Sequence, residues 1–358
     1  ILVQTFDIMS TEKDKAIRQK AKAFKQKVLA DAIAGLHTNL LLLGENVGLF
    51  DVLVANIPIT SDELATAANI NKRYCQEWCL HMAATDVLTV DTTSNKFQLQ
   101  EGVAEALQDT STLSITNTMA AAIQNPERLQ HAYQTGEGIG WGGHHKLLHS
   151  GTRRFFTPLY ENALIPNLPN RVKEVLEKGG SLLDVGCGEG VSTCVFASAF
   201  PNATIHGVDF HAPSIDAANK LAASKNLTNV TYSVASSDNN NNLTGQHDVI
   251  TFFDCFHDMS VAVGAAKTAF AQLKPEGVVL LVEPLAADDD SIRDQLALPT
   301  VTAHSAFSCH ICLPCSIQNN GDALGTCTPT CKHREIFVNA GFKSLEKENN
   351  GFEAMGFR

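Results

Sequence analysis

The strongest chemical signal in the sequence is the run Leu182-Leu183-Asp184-Val185-Gly186-Cys187-Gly188-Glu189-Gly190. It joins an apolar, strand-like segment to a helical one through alternate glycines, which let the backbone turn sharply and approach a ligand closely. A dinucleotide site would read G-x-G-x-x-G and leave room for a pyrophosphate at the helix start. Here the spacing is G-x-G-x-G, with Asp184 two positions before the first glycine. That pattern suits S-adenosylmethionine (SAM), which has no phosphate and carries an amino-acid head group. About 20 residues on, Asp209 ends a second strand, where a carboxylate can accept hydrogen bonds from both ribose hydroxyls. Phe210 can pack on the adenine. Ala235-Ser236, after a third strand, would meet the adenine edge, with Asp238 as an alternative to Ser236. The expected cofactor set is Asp184, Gly186, Cys187 (as small packing in the loop), Gly188, Gly190, Asp209, Phe210, Ala235, Ser236 and Asp254.

Methyl transfer is an in-line displacement at a sulfonium. Holding the nucleophile in line is worth roughly 7–11 kcal/mol, and a general base adds about a hundred- to ten-thousand-fold. Ligands in open α/β sheets sit beyond the carboxyl ends of the strands. Asp254, His257 and Asp258 follow the fourth strand there, and Glu283 follows the fifth. His titrates near neutrality, so His257 is a candidate base, with Glu283 or Asp258 as orienters. A contact without proton transfer and a purely structural His257 are the alternatives.

Two further segments could touch a substrate. Tyr133, Gly136, Trp141, His144 and His145 belong to a glycine-rich stretch that reads as a water-excluding lid or an ordinary surface loop. Cys309-His310-Ile311-Cys312-Leu313-Pro314-Cys315, with Cys327, Cys331 and His333, holds half of the ten cysteines. Zinc would suit a pair of C-x-x-C knuckles, but the second spacing here is C-x-x-x-C. Pocket-lining thiols, zinc, and capture of a soft substrate such as arsenite or sulfide all remain open, and no metal is assigned.

These groups need a scaffold. Apolar runs at 182–185, 204–208, 230–234, 249–253 and 278–282 alternate with helical stretches, which implies a parallel sheet covered on both faces. The fold class is α/β: a Rossmann-like sheet preceded by an all-helical, winged-helix domain. Residues 13–58 read as two helices, the second spanning Ala30 to Glu45. Thr60 or Ser61 caps a third, with Glu63 in its first turn. Asn69-Ile70-Asn71 turns into a helix from Tyr74 to Ala84 that carries Cys75, Trp78, Cys79 and Met82 on one face. Val87 to Leu99 reads as a hairpin. The expected domains are 10–110 (winged helix, for dimerisation), 111–172 (helical linker and lid) and 173–358 (SAM domain, with a Cys-rich insertion at 300–333).

The chain resembles class I SAM-dependent methyltransferases with an N-terminal winged-helix domain, and within them a subgroup with bacterial, including mycobacterial, and nematode members. The likeness covers residues 30–345. It is carried by Gly48-Leu49-Phe50-Asp51, Gly136-Glu137-Gly138, Asp184 to Gly190, His257-Asp258, Ser308 to Cys312 and Leu324-Gly325-Thr326. His257-Asp258-Met259-Ser260 is similar to the H-D-W-S element of plant-type O-methyltransferases, whose His is the general base; Met259 stands where that family has Trp. The resemblance implies methylation of an O, S or N atom of a small molecule. It places Cys309 and Cys312 in a substrate-covering insertion. A thiol or metalloid methyltransferase is one alternative, and a SAM-sensing winged-helix transcriptional regulator is another.

Composition narrows the partners. A net charge of -11 over 358 residues argues against a nucleic-acid interface, and the basic cluster from Lys13 to Lys27 reads as a solvated helix. With 44% hydrophobic residues the chain can bury a large core. No uncharged apolar run of about 18 residues is present, so no membrane span is expected. Residues Ile1–Ile8 precede a start-like Met9 and read as a remnant or an upstream extension. The cysteines read as free thiols of a cytoplasmic protein, expected to be a homodimer.

Overall fold

The computed structural model describes residues 12–236, 245–346 and 355–357. Ile1–Ile8 and Asp238 lie outside them. The chain divides into two compact units between Thr116 and Asn117, so most of the expected linker belongs with the sheet.

In the first unit, α1 (Glu12–Asn46) is one 35-residue helix where two helices were expected. No proline interrupts it, and Gly35 sits in open space, where a helical glycine is tolerated. One 18-residue stretch of α1, although not free of charged residues, reaches a mean hydropathy of 1.2, apolar enough by length and composition to cross a membrane. Only the end of α1 packs, where Leu42 is buried and Trp78 Nε1 donates to the Leu40 carbonyl at 2.9 Å. After α2 (Leu49–Leu53) come β1 (Ile59–Thr60), α3 (Ser61–Ala67), α4 (Lys72–Ala84), β2 (Leu88–Asp91), β3 (Lys96–Leu99) and α5 (Val103–Ala106). Thr60 caps α3 in a capping box: its hydroxyl accepts from Glu63 N at 3.2 Å, and its own N–H donates to Glu63 at 2.9 Å. Asn71 Oδ1 accepts from Arg73 N at 2.9 Å, which starts α4 two residues before the expected Tyr74. Cys75, Trp78, Cys79 and Met82 are buried with Leu64, Leu88 and Leu99, and β1-β3-β2 form the antiparallel wing.

The helical part of the second unit comprises α6 (Ser114–Ile123), α7 (Pro126–Thr135), a 3-10 turn (Trp141–Gly143), α8 (Lys146–Leu159), a π-helical turn (Tyr160–Leu164) and α9 (Ile165–Asn167). The π turn follows Pro158, which lacks an N–H for the α-helical ladder. Next come α10 (Asn170–Glu177), β4 (Ser181–Val185), α11 (Val191–Ala199), β5 (Thr204–Asp209), α12 (Ala212–Ser224), β6 (Val230–Val234) and β7 (His247–Phe253). They are followed by α13 (Ala262–Gln272), β8 (Leu273–Val282), α14 (Ile292–Ala297), α15 (Val301–Phe307), a π turn (Ser308–Cys312), α16 (Leu313–Ile317), α17 (Thr330–Ala340), β9 (Ser344–Glu346) and β10 (Met355–Phe357).

The sheet runs β6-β5-β4-β7-β8-β10-β9. The five expected strands are parallel, and β10 pairs antiparallel with β8 and β9. Alternate residues face opposite sides of a strand. Thus Leu183 packs with Ala265 of α13 and Phe337 of α17, while Leu182 packs with Val172 of α10 and Phe196 of α11. Strand order grows outward from β4 to β6, then crosses back to β7. That switch opens a crevice beyond the carboxyl ends of β4 and β7.

Candidate cofactor and active site

The glycine turn after β4 is held by the backbone. Gly186 N and Cys187 N both donate to the Val208 carbonyl, at 2.8 and 3.0 Å. Gly186, Gly188 and Gly190 have φ of 70°, 53° and 79°, which strains any residue with a Cβ. A Cβ on Gly186 would lie 2.7 Å from Cys255 Sγ, and one on Gly190 would lie 2.7 Å from the Ala218 Cβ. Before Gly188 nothing lies within 4 Å. Gly188 therefore faces free space that a ligand can fill, whereas Gly190 permits close packing against α12 and does not line the cleft.

Asp209 at the end of β5 faces this turn. Its Oδ2 accepts from Gly188 N at 2.9 Å and its Oδ1 from His211 N at 2.8 Å. Burial raises its carboxyl above the usual range, and the two amides oppose that rise. Each oxygen keeps capacity for a further donor. Asp184 does not fit the expected cofactor role. Its Oδ2 accepts from Ser192 and Thr193, both at 2.7 Å, and its Oδ1 from Thr251 at 2.8 Å. It is 1% exposed and fastens the start of α11 to β4 and β7.

The cleft has a volume of about 330 Å³, at the lower end of the range of small-molecule pockets. Of the expected cofactor residues, Gly186, Cys187, Gly188, Asp209, Phe210, Ala235, Ser236 and Asp254 line it. The sequence reading missed His149, Thr152, Arg153 and Phe156 of α8 and Tyr160 after it, which also line it. Their spacing puts them on one helical face, so the signal was present in the period. Arg153 Nε meets Glu189 Oε2 at 2.5 Å. Trp141, His149 and His211 form a row of rings, with centroids 5.2 and 4.7 Å apart.

The glycine-rich stretch is docked on α16. Ile139 N donates to the Pro314 carbonyl at 2.9 Å, and a Cβ on Gly138 would lie 2.2 Å from Gln318 N. Glycine serves close contact there. Trp141 reaches the cleft, as do Gln318, Asn319 and Cys315 across from it. The other substrate candidates do not. Tyr133 is 66% exposed on α7. Gly136 ends that helix in a left-handed turn. His145 caps α8, with its ring nitrogen accepting from Leu147 N at 3.3 Å. His144 sits 3.7 Å from Cys315 Sγ, and burial drops its pKa to about 4. His310 bonds back to the Ala306 carbonyl at 2.8 Å, and Cys309 precedes it in the same π turn, outside the cleft lining.

Beyond β7 the carboxylates crowd. Asp254, in a left-handed conformation at φ 50°, lines the cleft, as do Asp258 and Met259. Burial, reinforced by Glu283 and Asp258, pushes the Asp254 carboxyl up to about 7, against the pull of His257. His257 is only 2% exposed and does not line the cleft. Its Nδ1 is hydrogen-bonded to Glu283 Oε2, and its Nε2 lies 3.3 Å from Asp258 Oδ1. Burial disfavours its charge, but the two carboxylates outweigh that and hold the imidazole well above its ordinary pKa. Glu283 also accepts from Phe256 N at 2.9 Å, pinning the turn that carries His257. As a direct base His257 is misplaced, because both ring nitrogens face carboxylates and neither opens to the cleft. Cys312 is 8% exposed beside this pair.

Residues 176–324 match the family described as "Methyltransferase domain", and residues 35–109 match the Rv2258c-like winged HTH domain. The chain thus pairs a methyltransferase domain with an N-terminal winged HTH domain. Over 112 residues it is 30% identical to the ribosomal RNA small subunit methyltransferase C of Haemophilus influenzae, a match covering 31% of each chain. The chain thus spans under a third of the length of that curated relative. Among solved structures it resembles an O-methyltransferase family protein of Burkholderia thailandensis (TM-score 0.70, 18% identity, covering 94% of this chain and 98% of that one). It also resembles human N-acetylserotonin methyltransferase in complex with SAM (TM-score 0.64, 15% identity, covering 93% and 97%).

Proposed function

We propose that this protein is an enzyme that methylates an oxygen, sulfur or nitrogen atom of a small molecule, with SAM as donor. The observation that carries the reading is Asp209 bridged to Gly188 N and His211 N at the edge of a cleft that is open in front of Gly188. Gly188 and the Arg153-braced Glu189 would cradle the amino-acid end of SAM, Asp209 its ribose, and Phe210 and Ala235-Ser236 its adenine. When bound, SAM supplies an electrophilic methyl carbon. Asp254 faces the cleft as a carboxylate poised near neutrality, able to hold a cationic ligand or accept a proton. Trp141, Phe156 and Tyr160 exclude water from the same space.

Charge pairing supports a small-molecule substrate over nucleic acid. Lys72 pairs with Asp62 at 3.0 Å and Arg73 with Glu77, so both cations at the start of α4 are already engaged by carboxylates rather than open to phosphate. The winged-helix unit is assigned to homodimerisation, and the free thiols of all ten cysteines fit a reducing, cytoplasmic setting.

The test is a thermal shift with SAM and with its demethylated product, S-adenosylhomocysteine, followed by a screen of small nucleophiles for product release. Both compounds are expected to raise Tm, and Asp209→Ala or Gly188→Val to remove most of the shift. No shift in the unmodified protein would overturn the reading.

A further inference from the structure

We propose that His257, Asp258 and Cys312 form a binding site for a zinc-type divalent cation at the inner end of the cleft. One ligand atom from each of the three lies within 4.8 Å of those of the other two. The sequence spacing had pointed to the cysteines alone, but among the described residues this is the only His, Cys, Asp or Glu group that close. Cys312 therefore meets a histidine and a carboxylate delivered by the turn after β7, 54 residues earlier in the sequence at Asp258.

Two features support a cation there. First, Glu283 takes the Nδ1–H of His257, which orients the ring so that Nε2 points at Asp258 and Cys312. A carboxylate behind a ligating imidazole is the arrangement that fixes the tautomer in metal sites. Second, Asp258 Oδ1 is buried and accepts no hydrogen bond, its nearest partner being His257 Nε2 at 3.3 Å, and a cation between the two would satisfy that oxygen.

The donor set narrows the ion. Imidazole nitrogen, carboxylate oxygen and thiolate sulfur suit zinc and its neighbours; calcium and magnesium prefer oxygen alone. Three protein ligands leave one position of a tetrahedron open, as in catalytic zinc sites. Of the three ligands only Asp258 lines the cleft, so an open position on its side would face the substrate space. A thiol or hydroxyl of the acceptor would bind there, releasing its proton to solvent as the heteroatom joins the metal. That last role rests on the methyl-transfer reading; the site itself does not.

The experiment is a titration of chelator-treated full-length protein with Co(II), following the thiolate-to-cobalt charge-transfer absorption. The expected result is saturation at one equivalent, competition by Zn(II), loss of the band in Cys312→Ser and its retention in Cys331→Ser. A missing band in the unmodified protein, or a band that survives Cys312→Ser, overturns the site. If Cys312→Ser does not fold, Asp258→Asn takes its place, expected to weaken cobalt binding at least tenfold; unchanged binding overturns the site. The SAM thermal shift on the same samples separates the two readings. A shift without a cobalt band sinks the metal site alone, and a band without a shift sinks the SAM reading alone.

Discussion

Arg153 Nε lies 2.5 Å from Glu189 Oε2, so an ion pair fastens the cleft-lining face of α8 to the glycine turn after β4. Both side chains keep some exposure, at 42% and 22%. A pair so placed adds under about 1 kcal/mol to stability. Its importance lies in holding two walls of one cleft together. Arg153→Ala should leave Tm nearly unchanged and raise the Kd for SAM about tenfold, equal to about 1.4 kcal/mol. Isothermal titration beside a melting curve checks this, and an unaltered Kd refutes it.

The glycines should separate by function. Gly190→Ala drives a Cβ to 2.7 Å from Ala218 at a positive φ and should cost about 2–4 kcal/mol. Gly188→Ala meets nothing and should cost only about 1–2 kcal/mol from its backbone conformation. The ligand response should invert that order, with Gly188→Ala losing more of the SAM-induced shift. Urea midpoints with and without SAM give both quantities.

Asp184 binds three buried hydroxyls and no part of the cleft. Asp184→Ala strands those donors and should destabilise the fold by about 2–4 kcal/mol. Asp184→Asn keeps an acceptor and should lose less. Full stability in Asp184→Ala, measured by urea denaturation, would restore the residue to the cofactor set.

Asp254 gives the pH dependence. Its folded pKa, pushed up to about 7, lies above its ordinary 3.8. The folded state therefore binds this proton more tightly than the unfolded one. The stability that follows is fully present below about pH 4 and is lost as pH rises through about 7, a change of the order of 2–4 kcal/mol. Burial sets most of this value; His257 opposes it, and Glu283 and Asp258 add to it. Asp254→Asn should thus raise Tm more at pH 8.5 than at pH 5. Cationic SAM should bind chelator-treated protein more tightly at pH 8 than at pH 6, by up to about tenfold per unit below the transition. A Kd flat with pH excludes the role.

Much of the scaffold was readable locally. The capping box at Thr60 and Glu63, the wing hairpin and the five parallel strands announce themselves through period and cap chemistry, which act over a few residues. Other elements carry no such signal. β9 and β10 have three residues each, too few for a pattern, and they form only because β8 offers an open edge. α1 was divided by a change in composition, although nothing in its backbone breaks the helix.

For the site, the sequence alone determined the glycine turn and the acid that faces it, since positive φ at Gly186 and Gly188 and an acidic strand end are properties of short segments. Only the tertiary structure decided that Asp184 turns inward, that α8 forms one wall, and that Cys312 meets His257 and Asp258. Those outcomes depend on how α8, the turn after β7 and the π turn at Ser308–Cys312 converge. Contacts between residues far apart along the chain arise when packing brings their elements together, and spacing in one dimension does not encode that distance.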